Sequence, residues 1–221
     1  ADISCNSCYN KHGDIINRSG KNFDVKLGKN TILGYQSGYN SKTNYELNEC
    51  NTFLGYNAGQ SFTTDGNSVI IGSREKDSHG VTTDSVAIGF NTGITITIGK
   101  FNTLIGWKAG QKTTVSAGLT LIGYSAGYNI KSIKGTNTNN ITAIGENAGG
   151  NSTTGTENTF VGRRAGWSVT SGSYNTMLGF ESGGGKVYDD VIVCTGSNNT
   201  CVGYRSGFKL QDGNVTPNNN T

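Results

Sequence analysis

The stretch NTFLGYNAGQ, residues 51–60, determines the architecture of the chain, because close copies of it recur almost to the C-terminus. Five of them read NTILGYQSGY, NTLIGWKAGQ, NTFVGRRAGW, NTMLGFESGG and NTCVGYRSGF. Alignment on the glycine after the aliphatic residue gives ten anchor glycines: Gly34, Gly55, Gly72, Gly89, Gly106, Gly123, Gly145, Gly162, Gly179 and Gly203. Six of the nine links are 17 residues long, and the other three are 21, 22 and 24. A fixed period of this kind predicts a solenoid with short insertions in three links.

The residues before each anchor glycine predict a strand. An aliphatic residue precedes the anchor in all ten copies, and Thr or Val stands two positions earlier, as in Thr52 and Leu54. Alternation places these two columns on one face of a strand. No apolar pattern repeats with the helical period, so we expect an all-β chain without helices.

The residues after each anchor predict turns. A second glycine follows four positions later in nine copies, preceded by Ala, Ser or Thr, as in Ala58-Gly59. Paired glycines of this kind suit a tight corner with positive φ. With a second polar turn per unit, the sequence predicts flattened coils of two strands each. Ten coils stacked at about 4.8 Å would form a rod roughly 45 to 50 Å long.

The middle residue of each strand is also apolar, and we expect it to face away from the coil interior. An apolar stripe on the outside implies a covering partner, and a second copy of the chain suits a long flat stripe. The predicted self-assembly stripe comprises Ile32, Phe53, Ile70, Leu104, Leu121, Phe160 and Met177. The residue after the anchor is aromatic in seven copies and predicts a ladder of stacked rings along one edge.

The copy DSVAIGFNTG, residues 84–93, resembles the repeat of the head domains of trimeric autotransporter adhesins. The form NTxLGxxAG is similar to repeats in phage tail fibres and other large surface proteins. The resemblance covers about residues 30–207 and implies a β-roll of short coils, joined as trimers, that binds host or matrix molecules. The 17-residue coils, the insertions and the cysteines depart from the adhesin pattern.

Composition places the chain outside several functional classes. The formal charge of +3 comes from scattered basic residues, so no nucleic-acid partner is expected. No apolar run approaches the roughly 20 residues of a membrane span. Ala1 in place of Met suggests a mature chain whose targeting segment was removed, although a trimmed chain would look the same. We divide the chain into a cap or connector at 1–29, the solenoid at 30–207 and an Asn-rich tail at 208–221.

Five cysteines favour an oxidising, extracellular location. The predicted pairs are Cys194 with Cys201, and Cys50 with Cys5 or Cys8, which leaves one thiol for an intermolecular bond. A zinc site built from Cys5, Cys8, His12 and Cys50 is the weaker alternative, because no second close pair of ligands is present. The disulfide candidates are therefore Cys5, Cys8, Cys50, Cys194 and Cys201.

Six sequons permit glycosylation on exposed turns, although an Asn-rich chain carries about this many by chance. They begin at Asn17, Asn140, Asn151, Asn198, Asn214 and Asn219.

Motifs that resemble catalytic sites are better explained by the repeat. GYSAG, residues 123–127, matches the hydrolase elbow, but sister coils read GYNAG, GWKAG and GENAG, and no histidine follows Ser125. GGGK, residues 183–186, lacks the Ser or Thr of a phosphate loop. Asp189-Asp190 is more simply a solvated loop than a Ca²⁺ site, and the charged segment at 73–80 is as well explained by surface variation as by a partner contact.

The sequence therefore predicts a non-enzymatic extracellular structural protein, a self-assembling subunit of a surface fibre or filament, with no cofactor and no metal. The alternative is an adhesin or tail-fibre module that binds a receptor or glycan through insertion loops at 39–50, 128–139 and 184–198. A polysaccharide-cleaving enzyme on the same scaffold is disfavoured, because no coil concentrates carboxylates.

Overall fold

The structure of the protein is a computed structural model. It describes residues 15–16 (backbone only), 31–38, 50–60, 66–73, 84–96, 99–114, 116–131, 139–184 and 195–208.

One parallel sheet of eleven short strands runs through these residues, in the order in which the strands occur in the chain. The strands are β1 (Ile15–Ile16), β2 (Thr31–Leu33), β3 (Thr52–Leu54), β4 (Val69–Ile71), β5 (Val86–Ile88), β6 (Thr103–Ile105), β7 (Thr120–Ile122), β8 (Thr142–Ile144), β9 (Thr159–Val161), β10 (Thr176–Leu178) and β11 (Thr200–Val202). None of the described residues is helical. The predicted all-β solenoid is confirmed, with one strand immediately before each of the ten anchor glycines.

The register of the sheet is unchanged by the insertions. Thr31 pairs with Thr52 across a 21-residue link, and Thr176 pairs with Thr200 across a 24-residue link. The extra residues therefore lie in the return segment that connects one strand to the next. β1 was not predicted, because the chain has Arg18 where the other strands are followed by an anchor glycine.

Each coil contains one strand among the described residues, and the prediction of two was wrong. The residue two positions before a strand is left-handed, as in Tyr174 (φ 59°), and this conformation interrupts an extended run. The return segments bond to neighbouring coils at isolated points instead. The Lys112 N–H donates to the Tyr128 carbonyl at 2.9 Å, and the Tyr174 N–H donates to the Thr156 carbonyl at 3.0 Å.

The predicted orientation of the apolar stripe was also wrong. The middle residue of each strand points into the coil, and its exposure does not exceed 3% in any of the ten strands β2 to β11. Ile32, Phe53, Ile70, Leu104, Leu121, Phe160 and Met177 are therefore core residues. Alternation does place the first and third residues together on one face, as predicted, but that face is the outside.

The anchor glycines form a ladder that only glycine can build. All ten have φ between 118° and 137°, in the region that L side chains rarely adopt. A β-carbon on Gly106 would also overlap the carbonyl group of Gly123 in the next coil. The glycine four positions after the anchor is required for a different reason. A β-carbon on Gly166, for example, would overlap the ring of Phe160. The sequence prediction of a corner with positive φ at its two glycines is confirmed.

Buried asparagines tie successive coils together just before the strands. The Asn175 side chain donates to the Gly196 carbonyl at 3.0 Å and accepts from the Asn199 N–H at 3.0 Å. Asn158 has the same role one coil earlier, where its Oδ1 accepts a hydrogen bond from the Asn175 N–H at 2.8 Å. These bonds satisfy backbone groups that the strands do not reach.

Candidate interaction surface

The solvent side of the sheet presents three parallel columns, which we call the outer face. The first column is the Thr or Val that begins each strand, and the second is the aliphatic residue that ends it. The third is the residue after the anchor glycine. The second column comprises Leu33, Leu54, Ile71, Ile88, Ile105, Ile122, Ile144, Val161, Leu178 and Val202, and all ten are exposed or half-buried.

Large apolar side chains on the outer face reach solvent. Leu33 is 45% exposed, Leu178 44% and Val202 60%. In contrast, the middle-column residue Met177, immediately before Leu178, is fully buried. The apolar side chains of the outer face therefore lie outside the core of their own chain. Covering them with a partner would stabilise the complex in proportion to the apolar area removed from water.

The aromatic third column forms stacked runs. Tyr35 and Tyr56 have ring centroids 5.6 Å apart, with planes 11° apart. Trp107 lies between Phe90 at 6.4 Å and Tyr124 at 4.6 Å. A third run joins Phe180 and Tyr204 at 5.5 Å and 7°. The ladder predicted from the sequence is confirmed for these seven rings, with interruptions where the column is not aromatic.

Because the rings stack on one another, they present mainly their edges outward. A sugar or base that stacks on an aromatic side chain needs the open face of the ring. Neighbouring rings occupy both faces of Trp107 and one face of each of the other six rings. The ladder therefore favours broad apolar contact with another protein surface over stacking of a small flat ligand.

The outer face carries almost no charge. Among the described residues of the three columns, Glu146 and Arg163 are the charged ones, and they neutralise each other. The Arg163 Nε donates to the Glu146 carboxylate at 3.1 Å, and the guanidinium also lies 5.4 Å from the centre of the Phe180 ring. A partner that covers this face therefore does not have to desolvate an unpaired ion.

The size of the outer face fits a protein interface. Nine strand spacings make it about 43 Å long, and four residues of extended chain make it about 13 Å wide. The product of these two lengths is a flat area of about 560 Å², which does not include the extra surface of protruding side chains. This area is at the upper end of those found for apolar patches on monomers. It approaches the roughly 800 Å² per partner of a standard interface.

The composition of the columns does indicate which face of each strand points to solvent. The outer columns pair a nearly uniform Thr with a uniform aliphatic residue, whereas the middle column varies from Ala87 to Phe160. Thr is a residue of the solvent face, and a column of variable volume is typical of a packed core. Polar content in the Thr column should have assigned those residues to the outside.

The two cysteines that the structure describes occupy different environments. Cys50 is exposed and left-handed at φ 62°, and Cys201 is buried in the middle column beside Met177 of β10. No disulfide is formed among the described residues. Cys5, Cys8 and Cys194 lie outside those residues, so the predicted pairs and the alternative zinc site stay untested.

Three of the six sequons lie in the described part of the chain. Asn140 and Asn198 are exposed in left-handed corners, and Asn151 is half-buried. The Asn140 amide donates to the Glu157 carboxylate at 2.8 Å. Asn17, Asn214 and Asn219 lie outside the described residues, so glycosylation stays a prediction.

The elbow-like motif around Ser125 has the geometry of an ordinary corner. Ser125 is 7% exposed with φ 51°, and its N–H donates to the Trp107 carbonyl at 2.8 Å. Equivalent residues such as Asn147 and Arg164 have the same conformation. Half of GGGK, the Asp189-Asp190 pair and most of the charged segment at 73–80 lie outside the described residues.

In the described ranges, no group of three or more His, Cys, Asp or Glu side chains could hold a metal ion. No helix there has the length and hydropathy needed to cross a membrane.

Fold and surface together define a parallel β-solenoid repeat protein with an exposed apolar face. No protein-family model, curated protein or solved structure matches the chain.

Proposed function

We propose that this chain is a non-enzymatic structural protein that assembles with further copies of itself, and that the outer face is the contact between copies. The observation that carries the proposal is the continuous column of ten solvent-facing aliphatic side chains along the strands β2 to β11, on a face whose two charges neutralise each other. A second or third copy suits this surface, because a flat face with a repeat of one strand spacing matches another such face in register.

An extracellular surface fibre is the setting we propose for this assembly. The five cysteines, the exposed sequons at Asn140 and Asn198, and the resemblance of the repeats to adhesin heads and tail fibres support that setting. The occupancy of the Ser125 corner by Asn, Lys, Glu or Arg in sister coils supports a structural role for the motif.

The test replaces two residues of the outer face with charge. Ile105→Asp combined with Ile122→Asp puts two carboxylates side by side on adjacent strands, where desolvation would penalise any covering partner. Size-exclusion chromatography with light scattering and negative-stain electron microscopy then report the assembly. We expect the wild-type chain to form oligomers or fibres and the double variant to be monomeric, with an unchanged circular dichroism spectrum.

A matched control places two aspartates elsewhere. Phe101 and Tyr174 are exposed apolar residues at the corner before a strand, and Asp84 occupies that position naturally. Phe101→Asp combined with Tyr174→Asp should leave the assembly intact. A wild-type chain that is monomeric at all concentrations, or a face variant that assembles as the wild type does, would contradict the proposal.

Binding of a receptor or glycan through the insertions is a second candidate function. All three insertions lie between the end of one strand and the start of the next, and the register of the sheet is the same across each of them. Retention on a glycan array by the wild type, lost when the insertion at 185–194 is shortened, would support this function. The two functions use different surfaces.

A further inference from the structure

The third column of the outer face carries two charged residues among its described members, and they lie away from the middle of the face. Glu146 follows β8 and Arg163 follows β9. These are the seventh and eighth of the ten strands from β2 to β11, whereas the midpoint of the ten lies between β6 and β7. The pair therefore distinguishes one end of a repetitive surface from the other.

The ion pair has bonding capacity that its own chain does not use. The Arg163 Nε donates to the Glu146 Oε2 at 3.1 Å, a single contact in place of the two-nitrogen fork that arginine can present to a carboxylate. The terminal guanidinium nitrogens bond to none of the described residues, and the two side chains are 44% and 43% exposed. A second carboxylate, brought by a partner, would therefore find donors on Arg163.

Two kinds of twofold axis can bring the outer face of a second copy against this one. An axis along the solenoid reverses the order of the columns, so that the Thr column approaches the rings of the second copy. It also sets the two ion pairs in the same direction, with like charges at the same level. An axis along the strands keeps each column opposite itself and reverses the second ion pair. Because like charges opposite one another are destabilising, the ion pair favours this second arrangement, in which the two solenoids are antiparallel.

The position of the ion pair then determines the stagger between the two copies. Full overlap of the ten strands would put Glu146 opposite Phe90 of the second copy, and Arg163 opposite Ser73. Each ion would lose water there without meeting a counter-charge. An axis placed between β8 and β9 instead puts Glu146 opposite Arg163 of the second copy, and Arg163 opposite Glu146.

The same stagger also matches the other residues of the overlap. It pairs β8 with β9, β7 with β10, and β6 with β11 of the second copy, and all six strands begin with Thr and end with an aliphatic residue. In the third column, Tyr124 then faces Phe180 and Trp107 faces Tyr204. Rings therefore meet rings and each charge meets its opposite across the whole six-strand overlap.

We propose that two copies pair through β6 to β11 in antiparallel orientation, and that Glu146 and Arg163 determine both the orientation and the stagger. This inference rests on the proposed contact between outer faces and specifies its geometry. Setting register is the best-attested role of a polar pair in an apolar contact. Six strands span only about 24 Å, so the dimer alone is a weak one, and β2 to β5 stay uncovered for a further copy.

Photo-crosslinking between isotopically distinct chains tests the geometry. An unlabelled chain with p-benzoylphenylalanine at Leu178 of β10 is mixed with isotopically labelled wild-type chain and irradiated, and mass spectrometry locates the crosslink. We expect the labelled chain to be joined near Ile122 of β7. Joining near Leu54 of β3, as full overlap requires, or near Leu178 itself, as parallel solenoids require, would overturn the proposed geometry while keeping the outer face as the contact. Assemblies without any crosslink between chains would instead remove the outer face as the contact.

Charge variants test the role of the ion pair. Glu146→Arg alone, or Arg163→Glu alone, sets like charges opposite one another, and each should weaken association at least about tenfold in sedimentation equilibrium. An equimolar mixture of the two variants should restore it. Glu157→Arg changes an exposed carboxylate outside the three columns and is the matched control, with association expected to be unchanged. Single variants that associate as tightly as the wild type, with unchanged circular dichroism spectra, would show that the pair has no part in the contact.

The double variant Glu146→Arg/Arg163→Glu separates antiparallel from parallel pairing. It should associate with itself as the wild type does, because each charge again faces its opposite. In the antiparallel arrangement it should avoid wild-type chains, since carboxylates would face carboxylates. Mixed isotopic labelling with native mass spectrometry counts the two kinds of dimer, and a preference for mixed dimers would overturn the antiparallel geometry.

Discussion

The rings of Trp107 and Tyr124 stack with their centroids 4.6 Å apart and their planes 8° apart, one coil above the other. Both side chains are on the outside of the sheet, so their contact holds neighbouring coils together without belonging to the core. Lys108 adds a cation 4.1 Å from the centre of the indole ring.

Replacing Trp107 with Ala should therefore lower the free energy of unfolding by about 1 to 3 kcal/mol, since it removes two ring contacts of about 0.5 to 1.5 kcal/mol each. Chemical denaturation monitored by far-UV circular dichroism measures the change. Tyr35→Ala, which removes one described ring contact, is the control and should have the smaller effect. Equal effects would show that stacking does not determine the stability of the column.

The two apolar columns of a strand should respond differently to truncation. Leu121→Ala creates a cavity in the core and should destabilise the chain by about 2 to 5 kcal/mol. Ile122→Ala, one residue later on the outer face, should change the stability of the monomer by less than about 1 kcal/mol. Thermal unfolding of dilute protein compares them, and a larger loss for Ile122→Ala would contradict the assigned orientation.

The glycine ladder predicts a large difference between two chemically identical substitutions. Gly106→Ala places a β-carbon against the Gly123 carbonyl and also requires an L residue to adopt an unfavourable φ. It should lower the free energy of unfolding by at least about 3 kcal/mol. Gly203→Ala meets the same unfavourable φ, but no atom of the described residues lies within 4 Å of the added β-carbon, and it should lower the free energy of unfolding by about 1 to 2 kcal/mol. Denaturant titration of both variants measures the difference, and similar losses would assign the entire requirement for glycine to φ.

A buried carboxylate should matter more than an exposed one. Glu181 is 4% exposed and receives Arg205 at 2.8 Å and Arg164 at 3.5 Å. Glu181→Ala should destabilise the chain by about 1 to 3 kcal/mol, because two arginines lose their partner and a buried site is emptied. Glu146→Ala breaks the exposed pair with Arg163 and should change stability by less than about 1 kcal/mol. Equal losses in denaturant titrations would contradict the importance of burial.

The period and the chemistry of its columns were sufficient to predict the solenoid, the strand before each anchor glycine and the corner between the two glycines. Glycine at a fixed offset from an aliphatic residue, as at Gly55 after Leu54, has few explanations other than a repeated turn. The orientation of the strand was harder to predict, because Phe53 and Leu54 are both apolar. Hydrophobicity cannot separate the two faces of a strand that is apolar on both, whereas the neighbouring Thr52 could have done so.

The strand β1 and the single-strand coils could not be found by pattern. β1 pairs in parallel with β2 but lacks the phrase, so the repeat does not mark it in the sequence. The left-handed corner before each strand is occupied by residues as different as Cys50, Glu157 and Tyr174. Because no residue type identifies that corner, the sequence indicates a turn region but not the conformation that shortens the strand.

Because the register is constant across links of 17, 21 and 24 residues, each unit adds one strand spacing to the length of the sheet, whatever the length of its link. Duplicating or deleting one whole unit at the level of the gene would change the length of the rod by about 4.8 Å and leave the alignment of all other columns intact. A lineage can therefore adjust how far such a rod reaches by recombination between its own repeats, without redesigning any contact.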